Sequence, residues 1–179
     1  MVLTLLEKRR SIRKFKPQPV EKGKMDALVE AALRAPSSMG GNPWEFVLVT
    51  DQAVLEKLSR AKPHGAGFLK NAPLAIAVCA NPEKSTVWIE DASIAAIFIQ
   101  LAAESIGLGS CWIQLRDRMH DNEKTSGAYV AELLHIPDGM VVECIIALGY
   151  PDESKPPHRK ENLEYGKIHM GFYGKPFRK

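Results

Sequence analysis

Residues 141–148 read VVECIIAL and are apolar at nearly every position. A strand with one wet face alternates apolar and polar residues, whereas a strand covered on both faces is apolar throughout. The segment therefore predicts a central strand of a sheet. Shorter apolar or β-branched runs predict three more strands, at residues 44–50, 74–80 and 110–115.

Helices account for most of the remaining regular structure. Helical spacing of apolar residues predicts helices at 2–9, 21–34, 51–60, 86–106 and 125–134, with Asp51 as the cap of the third. Near the N-terminus, Leu3, Leu6 and Ile12 are expected on a buried side. Helices and strands do not alternate strictly, so the pattern indicates an α+β fold in one domain, residues 1–179.

The predicted helix 86–106 is apolar nearly all round, with Gly107 as its C-terminal cap. Such a helix is buried on every side, and in a chain of this size we expect a second subunit to cover one of those sides. Residues 152–179 have the opposite character, because they are polar, basic and too poor in apolar residues for a core of their own. Their scattered aromatic residues favour docking on another surface over disorder.

Composition excludes several classes of function. The net charge is +3, from 24 basic and 21 acidic residues, which is too weak to indicate a nucleic-acid partner. Basic residues concentrate at 8–16 and 155–179, which suggests a local anion site. Cys79, Cys111 and Cys144 have no metal-ligand spacing, so no metal site is predicted, and their odd number favours a reducing cytoplasm over a disulfide framework. We expect a cytoplasmic protein, because neither a signal peptide nor a membrane span is apparent.

A basic cluster with one hydroxyl, Arg9-Arg10-Ser11-Ile12-Arg13, follows the first predicted helix. In an extended segment alternate residues point the same way, so the side chains of Arg9, Ser11 and Arg13 converge. Guanidinium groups bind phosphate bidentately and a hydroxyl adds a donor, which predicts a cup for a phosphate-bearing ligand. Taken alone, the cluster fits a solvated basic face at a helix end somewhat better.

Three more motifs could approach a ligand. Residues 35–44 (APSSMGGNPW) form a loop whose glycines allow close approach to a flat molecule, although, taken alone, the motif fits an ordinary helix-to-strand loop better. Residues 107–114 (GLGSCWIQ) form a glycine-bounded strand that presents backbone groups to a planar ring or is simply a core strand. Residues 156–160 (PPHRK) supply a second cationic arm.

Five features in this order resemble the FMN-dependent nitroreductase family, small single-domain NAD(P)H:acceptor oxidoreductases. They are the Arg-Arg-Ser-x-Arg cluster, the 35–44 loop, the acidic helix start Glu90-Asp91, the 107–114 run, and Gly-Tyr-Pro at 149–151 with Arg159 downstream. The resemblance implies an α+β sandwich with a central mixed sheet flanked by helices. It also implies a homodimer with FMN at the interface and a C-terminal extension, residues 152–179, that wraps the partner.

The resemblance further implies which residues bind the cofactor. The first motif and Arg159 match ligands of the phosphate and ribityl chain, with Arg13 at the pyrimidine edge. The loop residues would pack on the flavin from the partner subunit, and the strand residues would bring backbone to the ring. The full set is Arg9, Arg10, Ser11, Arg13, Pro36, Ser37, Ser38, Met39, Asn42, Ile113, Gln114, Arg159 and Lys160. Gly40, Asn42 and Gln114 depart from residues common in the family, which leaves the substrate range open.

The activity that the resemblance implies is hydride transfer from NADH or NADPH, through FMN, to a nitroaromatic, quinone or similar oxidised acceptor by ping-pong turnover. Because the cofactor carries the redox chemistry, no side-chain acid or base is required and no catalytic residue is assigned. Two alternatives stay open. One is a flavin-holding protein with little turnover, and the other is a relative that uses FMN for dehalogenation or flavin fragmentation.

Overall fold

The computed structural model describes residues Val2–Phe177. Its centre is a four-stranded sheet of β1 (Trp44–Val49), β2 (Leu74–Ala80), β3 (Gly109–Gln114) and β4 (Val141–Gly149), in the order β1-β2-β4-β3. The four predicted strands and the α+β class are confirmed. The expected mixed sheet is corrected to an antiparallel one, since all three neighbouring pairs are antiparallel. The register shows the alternation: β2 begins at the end of the sheet where β1 finishes, and β4 begins at the opposite end, towards which β3 runs.

Five helices surround the sheet within the described residues: α1 (Val2–Lys8), α2 (Lys22–Leu33), α3 (Gln52–Leu58), α4 (Trp88–Ser105) and α5 (Ser126–Leu133). Their ends follow local signals. The Asp51 carboxylate accepts the N–H groups of Ala53 and Val54 and so caps α3 as predicted. At the far end of α4, Gly107 adopts φ +78° and the Leu108 N–H bonds to the Ala103 carbonyl at 2.8 Å, which closes a Schellman motif.

The sheet is covered on both faces. β2 is buried at all seven positions and β4 at eight of nine, so the prediction of a central strand at 141–148 is confirmed. Side chains alternate between two cores, because successive residues of a strand point to opposite faces. One core joins the sheet to α3 and α5, and the other joins it to α2 and α4.

α4 presents its small side chains to the sheet and several large ones outward. Ala92, Ala96 and Ala103 lie in the core against the sheet. Ile94 and Phe98, one turn apart, are each 37% exposed. A surface helix of a monomer buries its larger apolar residues and exposes polar ones. The outward face of α4 is therefore unusually apolar for a surface that meets only water.

The N-terminal helix corrects another expectation. Ile12 is buried at 8% exposure, but Leu3 and Leu6 are 77% and 45% exposed. The reason is position: α1 has only seven residues, and neither of the two cores on the sheet includes any of them. The apolar spacing predicted the helix correctly, but the expectation that Leu3 and Leu6 are buried is wrong.

The tail after β4 has little regular structure. It contains short 3-10 turns at Lys160–Asn162 and Tyr165–Lys167 and an isolated bridge between His169 and Pro176, and most of its residues are exposed. The last two residues of the predicted tail lie outside the described part of the chain. Over Val2–Phe177, no helix is long and apolar enough to cross a membrane, and no group of three or more His, Cys, Asp or Glu could hold a metal ion.

Candidate functional site

The segment that contains the basic cluster lies directly on β3. Ser11 forms a parallel bridge with Ser110, and the Ile12 N–H donates to the Ser110 carbonyl at 2.9 Å. This close approach depends on Gly109, because a Cβ added there would lie 2.9 Å from the Ile12 Cβ. The glycine that bounds the 107–114 run thus lets the extended segment Arg9–Arg13, hereafter the cup, pack on the sheet edge.

Four polar side chains of the cup region lie near enough to the buried thiol of Cys111 to influence its pKa. Burial raises the pKa of Cys111, and the nearby Arg13, Ser11, Lys155 and Arg9 oppose that rise, in that order of influence. The Lys155 Nζ also donates to the Ser11 carbonyl. Arg9 and Ser11 are half-buried and Arg13 is exposed. The cup therefore forms a partly enclosed, positively charged surface at one edge of the sheet.

The first residues of the tail complete the cup. The Glu153 carboxylate accepts the backbone N–H groups of Arg13 at 2.5 Å and Lys14 at 3.2 Å, and it lies 3.3 Å from the Lys155 ammonium. The Arg10 guanidinium donates to the Pro156 carbonyl. Sequence reasoning missed Glu153 and Lys155, although both immediately precede the cationic arm at 156–160.

Arg159 and Lys160 lie near the cup with exposed side chains. Their position follows from a backbone hydrogen bond of 2.8 Å between the His158 N–H and the Glu7 carbonyl, two residues before Arg9. The structure thus brings the second cationic arm, residues 156–160, to the C-terminal end of α1. The prediction that Arg159 and the cup bind the same phosphate requires this proximity.

At the far end of β3, Ile113 and Gln114 have different environments. Ile113 is buried, and its side chain packs in the core that joins the sheet to α3 and α5. The Gln114 side chain accepts from Trp112 Nε1 at 2.9 Å and donates to the Arg116 carbonyl at 3.0 Å. Lys62 Nζ donates to the Gln114 carbonyl at 3.0 Å. Burial, and then the neighbouring Arg118, lower the pKa of Lys62, a cation that the sequence did not identify.

The loop that precedes β1, residues 36–42, hereafter the neutral loop, carries no charged residue. Met39 and Asn42 have positive φ values of 51° and 42°, in a region that L-residues adopt at a cost. Ser37 closes the loop, because its Oγ accepts the Asn42 N–H at 2.9 Å and lies 2.7 Å from the Asn42 Oδ1. The Met39 side chain is fully exposed. Trp44 anchors the loop, packed in a small core with Ala35 and Ala95.

Within the described residues, one side chain from outside the neutral loop forms a hydrogen bond with the backbone of the loop. The Ser38 N–H donates to Asp91 Oδ1 at 2.8 Å, and Asp91 belongs to the first turn of α4. The neutral loop therefore lies at the N-terminal end of α4, whereas the cup lies beyond its C-terminal end. At about 1.5 Å per residue, Asp91 and Ser105 are about 20 Å apart along the helix axis.

One chain thus unites only part of the predicted set. The cup residues, the β3 residues and the late arm lie along one edge of the sheet. Five predicted residues lie apart from them, at the other end of α4: Pro36, Ser37, Ser38, Met39 and Asn42.

Comparison with known proteins identifies the family. The model of the nitroreductase family matches residues 6–64 and 60–150. The chain belongs to the nitroreductase family. An FMN-dependent nitroreductase from Clostridium difficile R20291, with a solved structure, is 50% identical with a TM-score of 0.94 over 96% of this chain and 99% of that one.

Two curated relatives show the breadth of the family. A Methanothermobacter thermautotrophicus protein, provisionally named NADH dehydrogenase/NAD(P)H nitroreductase, is 34% identical over 94% of this chain and 86% of its own length. The iodotyrosine deiodinase of Thermotoga neapolitana is 26% identical over 91% of this chain and 95% of its own length.

Proposed function

We propose that this protein is an FMN-dependent oxidoreductase that takes hydride from NADH or NADPH and reduces a nitroaromatic, quinone or similar acceptor by ping-pong turnover. The observation that carries the proposal is the cup, which lies on the edge of β3 through Ser11 and Ile12 and is joined there by Lys155. Family membership and the FMN-dependent relative of C. difficile support it.

The donor set fits a phosphate ester with a planar ring. Guanidinium groups and a hydroxyl are the donors that bind phosphate with charge-assisted hydrogen bonds. The nearby carboxylate of Glu153 is bound by the Arg13 and Lys14 N–H groups, which lower its pKa and so keep it ionised. It is thus engaged with backbone, and the Arg10 guanidinium, which donates to the Pro156 carbonyl, keeps further N–H donors for the phosphate. We assign the phosphate and ribityl chain to Arg9, Arg10, Ser11 and Arg159, with Lys160 as a neighbour.

Arg13 and the end of β3 would face the ring. FMN supplies the hydride-accepting and hydride-donating chemistry when it is bound. Arg13 holds a fixed positive charge that favours the reduced, anionic form of the cofactor. The backbone of Ile113 and Gln114 supplies polar groups on a strand edge, and the Lys62 ammonium adds charge behind the Gln114 carbonyl.

We further propose that the active species is a homodimer whose two flavin sites span the interface. The neutral loop and the cup of one chain lie at opposite ends of α4, so Pro36, Ser37, Ser38, Met39 and Asn42 would reach a cup only from a second copy. A two-fold axis across α4 places the two ends beside each other. The apolar outward face of α4 supports this contact, and residues 152–179 would wrap the partner.

The test is an anaerobic reduction of the purified protein. We expect a yellow protein with about one FMN per chain, whose colour bleaches on addition of NADH or NADPH and returns on addition of a nitroaromatic or quinone. A colourless protein that binds no FMN overturns the proposal, as does a flavin-loaded monomer in light scattering for the dimer. Free, buried cysteines suit the reducing cytoplasm in which we place this activity.

Reductive deiodination is a second candidate, because the iodotyrosine deiodinase of T. neapolitana matches nearly the whole chain. The same reduced protein distinguishes the candidates. Reoxidation by an iodinated tyrosine, with release of iodide and no response to nitroaromatics or quinones, favours deiodination. A protein that holds FMN but bleaches slowly with both nicotinamides is a flavin-holding protein.

A further inference from the structure

Asp91 is a buried carboxylate with no role in the proposed binding of FMN. It is 2% exposed. Its Oδ1 accepts the Ser38 N–H and its Oδ2 accepts the Ser85 hydroxyl, both at 2.8 Å. Ser85 is oriented in turn, since its Oγ also accepts the Val87 N–H at 3.3 Å. Burying a carboxylate is costly unless its oxygens are bound, so these two bonds explain how the group is tolerated.

The location of Asp91 suits a carboxylate. It lies in the first turn of α4, where the helix dipole stabilises a negative charge. The neutral loop needs such support, because Met39 and Asn42 hold left-handed backbone conformations that cost energy unless surrounding contacts fix them. Ser37 closes the loop upon itself, and Asp91 ties it to the helix.

We propose that Asp91 is a positioning residue that holds the neutral loop of one subunit in the shape that covers the flavin bound in the cup of the other. This inference rests on the proposed function. Asp91 does not touch the cofactor; it acts through the Ser38 N–H. Substitution at Asp91 therefore damages the flavin site that its own chain completes in the partner, and leaves the cup of its own chain intact.

Two variants weaken or remove the contact from its two sides. Asp91→Asn keeps the size of the side chain and removes the charge and one acceptor. Ser38→Pro removes the donor, because proline has no N–H. Ser37 before it has ψ 160°, a conformation that a residue preceding proline adopts readily. Glu90→Gln, at the exposed acid next to Asp91, is the matched control for charge.

We expect Asp91→Asn and Ser38→Pro each to raise the FMN Kd about 10- to 100-fold, the range for loss of a hydrogen bond to a charged group. At saturating FMN both should also alter the visible circular dichroism of the bound flavin, which a general loss of stability would not change. Glu90→Gln should match the wild type. If both variants bind FMN with the wild-type Kd and spectrum, the inference is wrong while the proposed function stands; if the wild type binds no FMN, the proposed function itself is wrong.

Mixed dimers test the trans relation directly. Arg9→Ala and Asp91→Asn chains, co-expressed with different affinity tags, form a heterodimer in which one site carries both defects. The other site combines the intact cup of the Asp91→Asn chain with the intact loop of the Arg9→Ala chain. We expect this heterodimer to bind one FMN per two chains with wild-type Kd. Two weak sites and no wild-type site would show that Asp91 serves the cup of its own chain and would overturn the inference.

Discussion

The two ends of α4 support two contrasting polar segments. At the C-terminal end, the cup is cationic, extended and packed on a buried strand through Gly109. At the N-terminal end, the neutral loop is uncharged, turns through left-handed residues and exposes Met39 completely. The contrast supports our proposal that the chain builds a charged half-site on its own sheet and a neutral half-site on its surface. The cup carries positive charge and the neutral loop carries none. This difference is why we propose that the two segments meet across a dimer interface.

The largest effect should come from the cup. Replacing Arg9 by alanine removes a charge-assisted phosphate contact worth about 1.5–3 kcal/mol, so the FMN Kd should rise by about one to two orders of magnitude. Titration of the apo-protein with FMN, followed by flavin fluorescence, measures it. Lys16→Ala is the control, since Lys16 is exposed and lies beyond the cup. An unchanged Kd in Arg9→Ala would remove the phosphate assignment.

The close packing of the cup on β3 can be broken without touching a ligand group. Gly109→Ala forces a Cβ to within 2.9 Å of Ile12. Overpacking of this kind costs about 1–3 kcal/mol, so the free energy of unfolding in urea should fall by that amount and FMN should bind more weakly.

Gly23→Ala is the control for this substitution. Gly23 lies in α2, and a Cβ there meets nothing within 4 Å. Alanine is the better helix former, so this change should stabilise the protein by about 0.4–1 kcal/mol. Equal stability of the two variants would mean that the cup segment moves away from β3 at no cost.

Arg13 contributes a positive charge to the cup, whereas the neutral loop contributes none. The midpoint potential of the flavin in Arg13 variants measures the effect of that charge. Arg13→Gln should lower the midpoint potential of the flavin by tens of millivolts, since about 30 mV corresponds to about 1.4 kcal/mol for a two-electron couple. Arg13→Lys should retain most of the wild-type potential, because charge matters here more than the guanidinium fork. Redox titration at matched FMN occupancy measures the three midpoint potentials. If the wild type and both variants have the same potential, Arg13 has a structural role and does not tune the flavin.

The smallest effect should come from within the neutral loop. Ser37→Ala removes the hydroxyl that accepts the Asn42 N–H, a neutral bond of about 0.5–1.5 kcal/mol. The FMN Kd should rise only about 2- to 10-fold, and protease cleavage at 36–42 should become faster in the apo-protein. Ser105→Ala, which removes a local bond to the Ala102 carbonyl at the other end of α4, should change neither. A Ser37→Ala effect as large as that of Arg9→Ala would erase the contrast between the half-sites.

Local chemistry made much of the fold predictable. Asp51 caps its helix because a carboxylate next to free N–H groups satisfies them wherever the rest of the chain goes. Residues 141–148 form the central strand because their continuous apolarity suits burial on both faces. The basic cluster was likewise visible in the sequence, and its role as a cup for a phosphate stays a prediction that rests on alternation and on the resemblance.

Contacts between distant residues were not predictable from such patterns. Lys155 binds the Ser11 carbonyl across 144 positions, and Lys62 binds the Gln114 carbonyl across 52. Both acceptors are backbone atoms, which leave no trace in the residue type. Leu3 and Leu6 were misjudged for a related reason: apolar spacing shows that a helix has an apolar side, and only packing shows what covers it.

The sequence by itself determined the helices, the strands, the cationic character of the cup and the family, because each depends on residues close together or on motifs in fixed order. The tertiary structure alone decided that the sheet is antiparallel, that Gly109 seats the cup on β3, and that Asp91 holds the neutral loop at the opposite end of α4 from the cup of the same chain. Those facts depend on which distant segments of the chain meet in the fold. The length of α4, set by its rise per residue, separates the neutral loop from the cup of the same chain.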